Sequence, residues 1–291
     1  MPSIQTPHIG YGLAAAAVIG CAIAVAGGPA AAQSPTTLVP QLPDLVQATP
    51  RRLGVVEQRS NGKKRYRLIF ASAAENRGFG ANGGGQLVLV GHRPGTETRT
   101  MVVDQYVDMF DPQTGQIPTQ AVFPDVARMR FVRNEGHRHW HSLQFERYEL
   151  RRASDYRPVS RDRKTGFCVG NRYRVRGAQA AQRLTDPDFD SQCAHNQPDR
   201  LSVTVGLSVG WGDDYKPLLE GQFVDVTKVR SGRYVLVHRV NVDKAMQESD
   251  YDNNAASVLV KIRRRHEKKP TVSILRSCPG QERCPPPGGS G

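Results

Sequence analysis

The stretch Tyr66-Arg67-Leu68-Ile69-Phe70 places large apolar side chains at alternate positions, which is the pattern of a half-buried β-strand. The same period, or short β-branched runs, recurs at residues 86–90, 129–132, 143–150, 201–209, 223–226, 234–242 and 256–262. Turn-forming residues separate these runs, as at 78–85 and 111–115. No segment carries the periodicity of an amphipathic helix. We therefore predict an all-β chain, an antiparallel β-sandwich with long irregular loops.

Composition and charge narrow the class of protein. The chain has 291 residues, 38% of them hydrophobic, and a formal net charge of +13. These values exclude a disulfide-held mini-protein and an acidic disordered chain. A strongly cationic surface also suggests a polyanionic partner.

Much of the positive charge lies at the carboxyl terminus, where residues 261–291 contain eight Lys or Arg and only two Glu. We predict a basic Pro/Gly-rich tail at 264–291. It has no aromatic residue to stack on bases, so we expect no nucleic-acid partner. Adhesion to an anionic cell-envelope polymer is one interpretation of this tail, and a merely solvated basic end is the simpler one.

The amino terminus predicts export. Residues 12–28 are apolar and uncharged, and Ala30-Ala31-Ala32 resembles a cleavage site. We predict a signal peptide at 1–32 and a linker at 33–41, which gives a secreted protein with no transmembrane segment after cleavage. A lipoprotein signal ending at Cys21 is a weaker alternative.

Four cysteines remain after cleavage, an even number that suits an oxidising compartment. Four cysteines allow three pairings. We favour Cys168 with Cys193 and Cys278 with Cys284, because each pair closes a short loop.

One motif carries strong chemical content, Gly136-His137-Arg138-His139-Trp140-His141. Residues at i, i+2 and i+4 of a strand project to one face, so His137, His139 and His141 can converge on a metal ion. An incidental polar strand face is the alternative. Imidazole ligands suit Cu(II) and Zn(II) about equally, so spacing alone does not name the metal.

Two stretches around these histidines resemble the copper motif and following strand of the lysyl oxidase catalytic domain, in the form seen in bacterial members. They are residues 137–142, His-Arg-His-Trp-His-Ser, and residues 145–150, Phe-Glu-Arg-Tyr-Glu-Leu. Residues 164–168, Lys-Thr-Gly-Phe-Cys, resemble the segment that holds the lysine of the family's quinone cofactor.

Later segments follow in the family's order. Residues 210–215, Gly-Trp-Gly-Asp-Asp-Tyr, and 222–227, Gln-Phe-Val-Asp-Val-Thr, resemble the region of the cofactor's precursor tyrosine, and counting back from Gln222 places that tyrosine at Tyr215. The resemblance spans roughly residues 42–263, which we predict as the catalytic domain.

The resemblance implies a copper-dependent amine oxidase that uses a self-derived lysine tyrosylquinone. Such an enzyme converts a primary amine or peptidyl lysine to an aldehyde with O2, releasing hydrogen peroxide and ammonia. His137, His139 and His141 would bind copper, and Tyr215 and Lys164 would form the quinone. Considered without the three histidines, Lys164 would be interpreted as a solvated loop lysine and Tyr215 as an ordinary half-buried tyrosine.

Three further expectations concern protons and charge. Burial and the nearby cations Arg161 and Arg163 would favour a neutral Lys164 amine. Asp213 is the candidate general base. The positive net charge would repel a lysine-rich substrate, unless Asp213, Asp214 and Glu220 form a negative mouth.

Two segments, residues 43–46 and 248–254, resemble those that form a structural calcium site in relatives. Calcium prefers oxygen donors, which these segments offer in quantity. The predicted ligands are Asp44, Leu45 through its carbonyl, Glu248, Asp250, Asn253 and Asn254. A simple Asp/Asn turn is the alternative for the second segment.

The rival function is a secreted copper- or zinc-binding β-sandwich protein without catalytic activity. It would use the same three histidines and form no quinone.

Overall fold

A computed structural model describes residues 37–78, 84–134, 137–162, 164, 166–176, 189–219, 221–265 and 268–285. The predicted signal peptide and residues 33–36 of the predicted linker lie outside the described residues. Within the described part, the chain contains strands and turns and no helix. It therefore contains no helix of the length and apolarity that crossing a bilayer requires.

The first nine strands cover the amino-terminal half. They are β1 Val39–Pro40, β2 Leu45–Gln47, β3 Arg51–Ser60, β4 Lys63–Asn76, β5 Leu87–His92, β6 Thr100–Asp111, β7 Gln116–Asn134, β8 His137–Ser142 and β9 Glu146–Arg152. The remaining strands are β10 Pro158–Arg161, β11 Tyr173–Arg174, β12 Ser202–Leu207, β13 Trp211–Tyr215, β14 Phe223–Asp225, β15 Gly232–Val240, β16 Ala255–Arg263 and β17 Thr271–Cys278.

These strands form three antiparallel sheets. The first has the order β12-β5-β6-β7-β8, with β1 on β6. The second has the order β10-β9-β15-β16-β17. In the third, of order β11-β13-β4-β14, the long strand β4 also pairs with β2 and β3. The predicted all-β antiparallel fold is confirmed.

One hydrophobic core joins the three sheets. Leu89 of the first sheet, Leu236 of the second and Leu68 of the third are fully buried members of the same cluster. The turn predicted at 111–115 joins β6 to β7, and the Asp111 carboxylate accepts a hydrogen bond from the Gln113 amide at 2.8 Å.

The carboxyl-terminal segment does not behave as a simple tail. Residues 271–278, which we assigned to it, form β17 and pair with β16 from Ser257 to Arg263. Ile274 and Leu275 remain exposed on this strand. We did not predict this edge strand, because the surrounding residues have the basic, Pro/Gly-rich composition of a solvated segment.

Candidate active site

The three histidines of the sequence motif lie on β8, an edge strand of the first sheet. Their alternate positions place His137, His139 and His141 on one face, and one nitrogen of each lies within 4.8 Å of the others. The Nε2 atoms of His139 and His141 are 2.8 Å apart. The strand therefore delivers three converging nitrogen donors, as the spacing predicted.

The protonation of these histidines suits metal binding. Burial, reinforced by neighbouring cationic groups, lowers the pKa of His139 to about 4 and that of His141 to about 2. Both imidazoles are neutral at physiological pH, which is the form that binds a metal. The donor set fits Cu(II) or Zn(II).

A bridge between two chain segments brings Lys164 to this strand. Ser142, at the end of β8, exchanges two backbone hydrogen bonds of 2.8 Å with Phe167. The disulfide Cys168–Cys193 holds the segment that follows, and the Cys193 carbonyl accepts a 3.0 Å hydrogen bond from the Trp140 amide of β8. The protein contains both predicted disulfides.

Lys164 and Tyr215 are neighbours in space. The Lys164 Nζ atom lies 4.6 Å from the centre of the Tyr215 ring and 4.9 Å from that of Phe167. The Phe167 and Tyr215 rings pack edge to face at 5.1 Å. The structure thus joins a loop lysine, a tyrosine on β13 and the end of the histidine strand.

Burial lowers the pKa of Lys164 to about 8, while the carboxylates of Glu146 and Asp213 oppose this effect. A substantial fraction of the amine is therefore neutral near physiological pH. The cation that reinforces the shift is Arg172. Arg172 takes the role expected of Arg161, and Arg163 lies outside the described residues.

Asp213 is fully buried and links Tyr215 to a cation. The Tyr215 hydroxyl lies 2.6 Å from Asp213 Oδ2 and 3.0 Å from the Cys168 carbonyl oxygen, and Arg172 donates to Asp213 Oδ1 at 2.5 Å. Burial raises the pKa of Asp213 to about 7 and raises that of Tyr215 well above its usual value. Asp213 can therefore gain or lose a proton near neutral pH, whereas the Tyr215 phenol keeps its proton.

Glu146 is a second buried carboxyl that the sequence analysis did not single out. Its Oε2 atom accepts hydrogen bonds from Ser72 and Tyr148, at 2.9 and 3.0 Å, and a longer one of 3.3 Å from Gln47. Its Oε1 atom is buried without a hydrogen-bond partner among the described residues. Burial, with the Asp213 charge, raises its pKa to about 7. Of the nearby carboxylates, Glu146 raises the pKa of Lys164 most strongly.

A cavity of about 600 Å³ opens onto the site. Its lining includes His137, His141, Lys164, Gly221 and Gln222. Gly221 approaches the Lys164 backbone closely, because a Cβ atom added there would lie 2.7 Å from Lys164 Cα. This cavity, which we call the metal cavity, gives a small molecule access to Lys164 and to two of the three histidines.

The residues predicted to bind calcium also come together. The Glu248 carboxylate accepts from the Leu45 amide at 3.1 Å and from the Asn254 side chain at 2.6 Å. Asn253 donates to Asp44 at 2.8 Å and to Asp250 at 3.2 Å.

Several oxygens of this group have no hydrogen-bond partner among the described residues. These buried atoms are Asp44 Oδ2, Asn253 Oδ1 and Asn254 Oδ1. Burial raises the pKa of Glu248 to about 7 and also raises the pKa of Asp44, against the opposing charge of Arg77. A hard divalent cation such as Ca²⁺ fits these donors.

The fold and the site together define an all-β protein in which three histidines that could hold a metal ion lie beside a half-buried lysine and a buried tyrosine. The family model for lysyl oxidase matches residues 95–271. The chain belongs to the lysyl oxidase family.

Curated relatives are similar over a limited segment. Protein-lysine 6-oxidases from Gallus gallus and Sus scrofa are each 30% identical over 140 residues, which cover 47% of this chain and 29% and 49% of those proteins. Human lysyl oxidase homolog 1 is 27% identical over 163 residues, 55% of this chain and 25% of that protein. The matched segment thus spans less than half of each of these relatives.

Proposed function

We propose that this protein is a secreted, copper-dependent amine oxidase acting on primary amines or peptidyl lysine. With O2 it would form an aldehyde and release hydrogen peroxide and ammonia. The observation that carries this proposal is the 4.6 Å between Lys164 Nζ and the Tyr215 ring centre, beside the histidine strand. These two side chains are far apart in sequence, and a purely structural role does not require them to meet.

His137, His139 and His141 are the residues that would hold copper. Copper would supply, with O2, the oxidation that turns Tyr215 and Lys164 into lysine tyrosylquinone, the electrophile for the substrate amine. The contribution of the protein itself is to prepare the lysine for reaction. Burial favours the neutral form of Lys164, which is the nucleophilic form of an amine.

Asp213 is the proposed proton carrier. Its Oδ2 atom lies 2.6 Å from the Tyr215 oxygen, and its ion pair with Arg172 fixes the carboxyl against the ring. A buried carboxyl with a pKa near 7 can accept a proton and return it at neutral pH. We propose that the same group also accepts the proton from the substrate carbon.

Calcium is part of the proposal as a structural ion. Asp44, Leu45, Glu248, Asp250, Asn253 and Asn254 would hold it, connecting the start of β2 to the β15–β16 connection. Export through residues 1–32 also stays a prediction from the sequence.

The decisive experiment is copper loading in air, followed by quinone staining and mass spectrometry of the digest. We expect a cross-linked peptide joining residues 164 and 215. Lys164→Arg and Tyr215→Phe should abolish both signals, whereas the exposed neighbour Lys216→Arg should retain them. A protein that binds copper or zinc but shows neither signal would instead be the metal-binding β-sandwich without catalytic activity.

A further inference from the structure

A cavity of about 950 Å³ lies on the surface where β4, β9 and the β14–β15 connection meet, and none of the three histidines lines it. We call it the basic groove. Its cationic lining residues are Arg65, Arg152, Lys228, Arg230 and Arg233. Val159, Val229 and Tyr234 give it an apolar wall.

The cations of the groove are largely uncompensated. Arg152 pairs with Asp155 at 2.9 Å, and Arg65 lies 3.9 Å from Asp225, the acidic residue of the lining. Lys228, Arg230 and Arg233 are exposed and form no ion pair with a described carboxylate. Solvated cations are common on surfaces, but here they line a concave site with an apolar wall.

The groove leads toward Lys164. A second cavity of about 540 Å³, the linking cavity, shares Ser160 and Asp225 with the basic groove. Lys164 lines the linking cavity and also the metal cavity. The linking cavity therefore adjoins the basic groove at Ser160 and Asp225, and it adjoins the metal cavity at Lys164.

This arrangement is unfavourable for a free cationic amine. The carboxyl of Asp213 is fully buried against Arg172, so it cannot contribute to the negative mouth considered from the sequence. An approaching amine meets like charge, which slows encounter. An amine carried by an anionic chain would meet complementary charge instead.

We propose that the basic groove binds the acidic peptide segment that flanks a substrate lysine. The substrate class would then be peptidyl lysine in an acidic sequence. This inference rests on the proposed amine oxidase function. The volume of the groove, about 950 Å³, lies within the range of ligand pockets, and its apolar wall suits peptide side chains better than a polysaccharide.

The test measures binding to the full, metal-free chain, so it does not depend on turnover. The probes are two fluorescent nine-residue peptides, one with a central lysine flanked by Glu and one with Gln in place of every Glu. Fluorescence anisotropy at low salt should show at least about tenfold tighter binding of the Glu peptide, with the preference falling as salt rises. Arg230→Glu combined with Arg233→Glu should abolish the preference.

The matched control is Lys268→Glu with Lys269→Glu, which reverses two exposed charges outside the cavities and should leave the preference intact. An unchanged unfolding midpoint would show that the groove variant is folded. Equal binding of the two peptides, or equal loss in the control variant, would overturn the inference. So would tighter, groove-dependent binding of dextran sulfate at equal charge, which would point to an anionic polysaccharide.

The two proposals can fail separately. A chain that forms the 164–215 cross-link but shows no preference for the Glu peptide refutes only the groove inference. A chain that prefers the Glu peptide through Arg230 and Arg233 but forms no cross-link refutes the oxidase proposal.

Discussion

At the scale of the residue, the balance of charge around Lys164 is the feature most open to measurement. The Glu146 carboxylate raises the pKa of Lys164 against the larger effect of burial. Glu146→Gln removes this opposing charge, so we expect the pKa of Lys164 to fall from about 8 by roughly one unit. The neutral amine would then persist to lower pH. The measurement is the pH dependence of Lys164 acetylation in the metal-free protein, followed by mass spectrometry.

Asp199→Asn is the matched control for this change, because it removes an exposed carboxylate remote from Lys164 in the sequence. It should leave the Lys164 profile unchanged. If Glu146→Gln and the control show the same pH dependence of Lys164 acetylation, Glu146 does not affect the pKa of the lysine.

Gly221 is the second residue-scale test. It has φ +73°, and a Cβ atom there would lie 2.7 Å from Lys164 Cα. Gly62 has nearly the same φ, +74°, with nothing within 4 Å of its added Cβ, so Gly62→Ala isolates the backbone strain. We expect Gly62→Ala to cost about 1 kcal/mol of unfolding free energy in urea. Gly221→Ala should cost at least about 1 kcal/mol more and alter Lys164 acetylation. Equal effects in the two variants would rule out a supporting contact at Gly221.

Residues adjacent in sequence were easier to predict than residues adjacent in space. The alternation of His137, His139 and His141 follows from the strand period. Lys164 and Tyr215 were identified only through a family resemblance. Glu146 and Arg172 were missed, because their roles arise from contacts between strands and loops distant in the chain. The available signal for Glu146 was its position on the same strand face as Tyr148 and Leu150, which alternate with it along β9.

At the scale of the element, the strand period predicted about half of the seventeen described strands, missing β3 and β6 for example, and did not predict the division into three sheets. Hydrogen-bonded pairing, such as that of β4 with β2, β3, β13 and β14, depends on long-range packing. The missed strand β17 shows the same limit. Its composition resembles a solvated segment, and pairing with β16 makes it a strand.

The disulfide beside β8 should stabilise the fold and the site together. Cys168 and Cys193 are separated by 25 positions, whereas Cys278 and Cys284 are separated by 6. Loop-closure entropy predicts a loss of about 3–4 kcal/mol for the first pair replaced by Ser and about 2 kcal/mol for the second. Urea unfolding measures both losses. Only the first replacement should also change Lys164 acetylation, because that disulfide holds the segment bridged to Ser142. The same acetylation change in both variants would contradict this assignment.

At the scale of the whole molecule, the proposed calcium site connects the beginning of the described chain to its later strands. Asp44 precedes β2, while Glu248 and Asn254 lie between β15 and β16. An ion bound by these residues stabilises the folded state, because the unfolded chain does not hold its ligands together. Calcium at about 100 times its dissociation constant should add about 2.7 kcal/mol to the free energy of unfolding.

Thermal unfolding with calcium or with a chelator tests this connection across the fold. Calcium should raise the midpoint of the full chain, and Asp44→Asn should remove most of the increase, since one buried carboxylate oxygen of Asp44 has no other partner among the described residues. Asp252→Asn changes an exposed carboxylate in the same segment but outside the predicted ligand set, so it should respond like the unaltered protein. An equal response to calcium in all three proteins would contradict the calcium site and would favour the alternative, a simple turn of Asp and Asn residues. In that case, the direct hydrogen bonds of Glu248 to Leu45 and Asn254 would account for the connection without an ion.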